Sequence, residues 1–200
     1  VGRLKPAKEW TFKELTEDLG SHLPAWRVKA QEELLRRGEK VRAKLRGLLA
    51  DGKLPRALET WVVWTLGRLD PEGTWEDDNL NRHIQSLRVQ ALAAKLHPKT
   101  RAALKDPEPR LRLEAVLAIR QAGQVADCRA QLIGLAAGEE DRLVYYAVWG
   151  ALRAGLPVDE RKALLGHSSA GVRRAALLGL LEDDRSEDGT RLNSSPSESP

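Results

Sequence analysis

A five-residue pattern recurs six times along this 200-residue chain. It reads Trp26-Arg-Val-Lys-Ala30, Leu58-Glu-Thr-Trp-Val62, Leu87-Arg-Val-Gln-Ala91, Leu111-Arg-Leu-Glu-Ala115, Leu143-Val-Tyr-Tyr-Ala147 and Val172-Arg-Arg-Ala-Ala176. Each copy opens with a large apolar residue, usually followed by Arg. It closes four positions later on a small or branched apolar residue. Residues four apart share one helix face, and a small closing residue lets a neighbouring helix approach closely. The closing positions step by 32, 29, 24, 32 and 29 residues, which suits two-helix repeats with loops of varying length. The stripe continues downstream, as Leu111, Ala115, Ala118 and Ile119 in one copy and Val172, Ala176, Gly179 and Leu180 in another. One helix pair cannot bury such a stripe alone, so the pairs must stack.

Breakers separate the stretches: Gly20 to Pro24, Asp51 to Pro55, Asp106 to Pro109, Gly138 to Glu140 and Gly166 to Ser169. Glycine stops one helix, and proline or serine starts the next. Helices are expected over 11–19, 25–37, 40–50, 54–69, 86–96, 99–105, 109–122, 126–137, 141–154, 158–165 and 170–182, with a longer loop over 70–80 leading into a weak helix near Asn81. No segment alternates long enough to predict a strand. Residues 1–10 read as a lead-in and 11–184 as one repeat domain. Residues 185–200 read as a disordered acidic, Ser- and Pro-rich tail, because they hold too few apolar groups to offset the entropy of ordering.

Composition narrows the function classes. Hydrophobic residues make up 42% of the chain, enough for a real core. No run of about 18 apolar residues occurs, so no membrane span is expected. The net charge of +4 is uneven. Residues 183–200 carry −3 and the rest +7, an excess that attracts polyanions only weakly. The single cysteine, Cys128, closes no intramolecular disulfide and reads as a small buried apolar residue.

Leu104-Lys-Asp-Pro-Glu-Pro-Arg-Leu-Arg-Leu-Glu-Ala115 resembles the HEAT repeat signature, in which Asp-Pro breaks the first helix and a Leu-Arg-x-x-Ala run opens the second. Leu165 to Ala176 follows the same pattern without the Asp-Pro. The resemblance, to HEAT-like repeat proteins of the PBS-lyase kind, covers most of residues 11–182. It implies an all-α, right-handed α-α superhelix of about six helix pairs. A narrower resemblance runs from Phe12 through Gly38 and from Leu45 to Leu69. There the chain is similar to the HEAT segment of bacterial proteins that join a β-propeller to a cytochrome c domain. That likeness implies a periplasmic spacer, where a free-standing HEAT protein would be cytoplasmic. The start Val1-Gly2-Arg3, without Met or a signal-peptide core, suits a piece of a longer protein. The haem motif Cys-x-x-Cys-His is absent from these residues, and no cofactor or metal is expected.

Candidate chemistry is sparse. His22, His83, His97 and His167 form no metal-ligand spacing, and His22 and His167 fall in equivalent inter-helix loops. No phosphate loop or nucleophile elbow is present, so no catalytic residue is assigned. Arg27, Arg88, Arg112 and Arg173 occupy one repeat position and read as a ladder bonding loop carbonyls or acids. The run Arg36 to Arg46 is the densest positive feature, and Arg36, Arg37, Lys40 and Lys44 lie near one helix face; it reads first as a solvated helix surface and otherwise as a patch for phosphates or an acidic partner. Trp64 and Trp149 read as equivalent positions, as do Trp61 and Tyr146, and large rings often anchor interfaces. The expected function is a non-catalytic scaffold or spacer contacting a protein partner or a neighbouring domain. The alternative is a nucleic-acid-binding HEAT-like protein, including the DNA-glycosylase-like kind; a pigment-handling lyase or chaperone is a third class.

Overall fold

The computed structural model describes residues 4–70 and 79–192, with side chains to residue 184. The expected loop over 70–80 lies almost wholly outside the described residues. The described residues are all-helical, with no strand. In order they form α1 (Phe12–Leu19), α2 (Pro24–Arg37), α3 (Glu39–Ala50), α4 (Arg56–Leu69), α5 (Leu80–Leu92), α6 (Pro98–Ala102), α7 (Pro109–Gln121), α8 (Arg129–Gly138), α9 (Arg142–Gly155), α10 (Val158–Ala163) and α11 (Ala170–Leu192). Short 3-10 turns cover Ala7–Glu9, Ala103–Lys105 and Leu164–Gly166. The chain divides into two compact units, Val1–His97 and Pro98–Pro200, where the sequence reading expects one repeat domain.

In the first unit α1 packs on α2, α3 on α4, α2 on α4, and α5 on α4. Trp10, Leu15, Leu19, Leu34, Leu45, Val62 and Leu66 form its buried centre. Fully burying a leucine-sized side chain contributes about 1.5–3 kcal/mol, so these contacts dominate the unit. Thr11 and Glu14 close a reciprocal cap on α1: each side chain takes the other's backbone N–H, at 3.2 and 2.6 Å. Gly38 joins α2 directly to α3 at φ 59° and ψ −136°, a conformation open to glycine and hostile to a side chain.

In the second unit the long second helices α7, α9 and α11 pack on one another in chain order. α7 also meets the 103–105 turn, α8 meets α9, and α10 meets α11. The buried stripe is Leu111, Ala115 and Ile119 on α7, Val144, Val148 and Leu152 on α9, and Val172 and Ala176 on α11.

Three element bounds differ from the sequence reading by four residues or more. α5 runs unbroken from Leu80, joining the weak helix expected near Asn81 to the one expected from 86, and the Asn79 side chain accepts the Arg82 N–H at 3.1 Å and caps it. It stops at Leu92, not 96, where Ala94 turns to φ 52°. α11 continues to Leu192, into the segment expected to be disordered; residues 193–200 lie outside the described residues.

Helix caps also correct the repeat register. Counting from the residue before each second helix, the seventh position is Ala30, Val62, Ala115, Val148 or Ala176, each at most 3% exposed. The fifth copy is therefore Val144 to Val148, not Leu143 to Ala147. The cap decides this: the Asp141 carboxylate accepts the N–H of Leu143 at 2.9 Å and of Val144 at 3.0 Å. Leu143 is 65% exposed and Ala147 half-buried, while Val144 is 1% exposed. With this shift Trp64 and Trp149 are no longer equivalent, nor are Trp61 and Tyr146.

Candidate partner-binding groove

Three of the four arginines read as a ladder close the turn before their own helix. Arg27, Arg112 and Arg173 all sit three positions after the first residue of their helix. Each donates through Nη1 to the two carbonyls just upstream. Arg27 takes Ser21 and His22 at 2.7 and 3.2 Å. Arg112 takes Asp106 and Pro107 at 2.9 and 3.1 Å. Arg173 takes His167 and Ser168 at 2.7 Å each. The fork of a guanidinium can satisfy two carbonyls at once, which closes the turn on the helix it precedes. Arg88 does not belong to this set. It is exposed and lies well inside α5, because that helix starts earlier than its sequence pattern suggests. His22 and His167 thus enter the ladder through their carbonyls; the His167 ring also accepts the Ser169 N–H through Nδ1 at 3.1 Å.

In α9 the ladder position is Tyr145, and in α4 it is Glu59. Glu59 is buried and accepts from Arg82 of α5 at 2.6 Å. Tyr145 donates its hydroxyl to the Gly171 carbonyl at 2.7 Å, fastening α9 to the first turn of α11. Burial pushes its phenol pKa up, opposed by the Arg174 charge. A β-carbon on Gly171 would collide with the Ala136 carbonyl oxygen, so only glycine lets α11 start against α8. One step earlier, Arg112 reaches from its own turn to Glu139 in the next, with two parallel bonds of 2.8 and 2.7 Å. The Glu139 side chain is 2% exposed, and the bonded carboxylate raises the Arg112 pKa.

These turn ends line two adjoining clefts. One, of about 850 Å³, is lined by Leu104, Pro107 and Leu135 among apolar residues and by Lys105, Asp106 and Arg112. The other, of about 420 Å³, is lined by Arg142, Tyr145, Tyr146, Arg174 and the start of α11 at Ala170 and Gly171. Both share Glu139 and Glu140. Arg142 and Arg174 are exposed. The Arg142 guanidinium lies 5.4 Å from the centre of the Tyr146 ring, and that of Arg174 5.8 Å from Tyr145. Sequence reasoning missed this pair; the Arg-x-x-Tyr-Tyr spacing at the start of α9 was the available signal.

The basic run over 36–46 is placed differently. Arg36 and Arg37 both clasp the buried Glu33 at 2.7 Å, and Arg37 also donates to the Trp10 carbonyl at 2.7 Å. Hydrogen bonds from Arg36 first, and then from Arg37, hold the Glu33 carboxyl down at about 2 against the opposing effect of burial. Arg42 pairs with Glu39 at 2.6 Å and Asp70 at 3.2 Å, and Arg46 meets Asp70 at 3.5 Å. Lys44 lies over the Phe12 ring at 5.5 Å, and Lys40 is exposed. Trp64 is half-buried and donates to Gln85 of α5 at 2.8 Å. Trp149 is half-buried, with its indole N–H enclosed and without a hydrogen-bond partner. Cys128 is fully buried, and burial raises its thiol pKa, which makes it unreactive.

Among the described residues no three His, Cys, Asp or Glu side chains gather as a metal site, and no helix is long and apolar enough to cross a membrane. Comparisons with protein-family models, with curated proteins and with solved structures find no match to this chain.

Proposed function

We propose that this chain is a non-catalytic HEAT-like repeat module, a right-handed stack of helix pairs that holds a protein partner or a neighbouring domain. The recurrent turn-closing arginine and the chain-order packing of α7, α9 and α11 support the repeat reading. The observation that carries the function is the lining of the clefts in the second unit. Apolar walls of Leu104, Pro107 and Leu135 meet a rim of mixed charge: Lys105, Arg112, Arg142 and Arg174 against Asp106, Glu139 and Glu140. A mixed, partly apolar surface fits a peptide chain. A nucleic-acid track needs a one-signed basic surface, and here three carboxylates would face the phosphates. The run over 36–46 favours nucleic acid little, since Glu33, Glu39 and Asp70 already take its arginines.

Selection from a displayed random-peptide library, with calorimetry on the selected sequences, tests this reading. Recurrent selection of a linear motif is expected. A library that yields no binder, together with duplex DNA held tightly at physiological salt, would replace the module reading by the nucleic-acid one.

A further inference from the structure

We propose, resting on the interaction-module reading above, that Arg142 and Arg174 bind a carboxylate of an acidic peptide from a partner protein, while an adjacent apolar side chain of that peptide fills the Leu104–Pro107–Leu135 cleft.

Many arginines of this chain are already spent on its own groups. Arg36, Arg37, Arg42, Arg112, Arg153 and Arg161 are each bonded to a carboxylate, and Arg27 and Arg173 to backbone carbonyls. Arg142 and Arg174 bond neither a carboxylate nor a carbonyl among the described residues. Each instead lies over a tyrosine ring, and Arg142 Nε donates to the Tyr146 hydroxyl at 3.0 Å. A guanidinium held beside a ring by a cation–π contact keeps outer N–H groups for a carboxylate and loses part of its freedom before binding. The ring beneath Arg174 is fixed in turn, because Tyr145 is tied to Gly171. The same cleft is lined by the first turn of α11, a helix of 23 residues, whose start favours negative charge.

The acids of the groove set the direction of the ligand. Arg112 and the Asp141 N–H occupy Glu139, so it does not compete for Arg142 or Arg174. Glu140, exposed where the two clefts meet, repels an acid from the middle and leaves the Arg142–Arg174 end as the place for it. Nucleic acid is the weaker fit, since a strand long enough to follow the groove would pass Glu140 and Asp106.

The test uses the full chain and a fluorescein-labelled peptide carrying two glutamates followed by two leucines. Its controls have Gln for Glu, or Ser for Leu. Anisotropy titrations compare the wild type with Arg142→Gln/Arg174→Gln and Arg142→Glu/Arg174→Glu, each checked for unchanged helicity and melting. Both positions are exposed, so the fold is expected to persist. Binding that weakens about tenfold or more in the variants and with the Gln control is the expected result. Equal binding by the variants overturns the assignment of these two arginines. Equal binding of the Gln control overturns the acidic ligand. Library selection of motifs without acids, with the acidic peptide not bound, overturns this inference and leaves the module reading standing.

Discussion

The two units differ in where most of their polar side chains are spent. In the first unit buried polar groups join helix to helix: Gln31 donates to Thr65 at 3.4 Å, Arg68 to Gln31 at 2.9 Å, Trp64 to Gln85, and Arg82 to Glu59. The arginines of its densest basic segment are paired with its own acids. In the second unit Ala115, Val148 and Ala176 centre the contacts between second helices, and the Tyr145–Gly171 bond and the Arg153–Asp183 pair join α9 to α11. Other polar groups sit at the turns, where they frame the clefts that Arg142 and Arg174 line. A basic run in sequence is therefore poor evidence for a binding surface. What matters is whether acids three or four residues away, or on the next helix, have already taken the charge.

The sharpest way to break this contrast is to remove Arg112. Glu139 would be left as a buried carboxylate without its partner, and losing one member of such a pair costs about 3–5 kcal/mol. Arg112→Leu should lower the urea midpoint of the second unit strongly, and Arg112→Lys should restore only part, because an ammonium cannot make the two parallel bonds. A midpoint unchanged in Arg112→Leu would mean that the turn ends are not held as described.

A smaller effect separates the two readings of the fifth repeat. Val144→Ala, at a position 1% exposed, should cost about 2 kcal/mol in lost burial and cavity. Leu143→Ala, at a position 65% exposed, should stay within about 0.5 kcal/mol of the wild type. The reverse order would restore the Leu143–Ala147 register.

The mildest perturbation is acid, and it belongs to the first unit. The Glu33 carboxyl sits at about 2 against an ordinary value of 4.5. Its folded-state pKa is depressed, so the contribution is complete above pH 4.5 and is lost as pH falls toward about 2. Stability of the first unit should drop across that window, and Glu33→Gln should flatten the drop while lowering stability at neutral pH. An identical acid profile in the variant would remove Glu33 from the account.

Much of the fold was legible in the chain, and for local reasons. α1, α2, α3, α4, α7 and α9 fall within about two residues of the bounds that glycine, proline and apolar spacing suggest. The errors came where a side-chain cap overrode the apolar pattern. Asn79 caps an α5 that runs on through the weak helix expected near Asn81, and Asp141 moved the register of α9 by one residue, which exchanged a buried Val144 for an exposed Leu143. The ladder of Arg27, Arg112 and Arg173 was legible because it repeats, and Arg88 misled because its motif copy sits late in its helix. The groove was not legible. Arg142 and Arg174 come from different helices, and their ring partners and the clefts beside them exist only once α8, α9 and α11 are packed.

The central claim is that the turn-end groove of the second unit, and not the basic run of the first, receives the partner. Amide-resolved NMR titration of the full chain, once with the glutamate–leucine peptide and once with duplex DNA at physiological salt, tests it most directly. The account predicts peptide-induced shifts over residues 104–112, 130–146 and 170–174, with weak changes from DNA. Shifts confined to residues 24–50, and saturable with DNA at that salt, would contradict it.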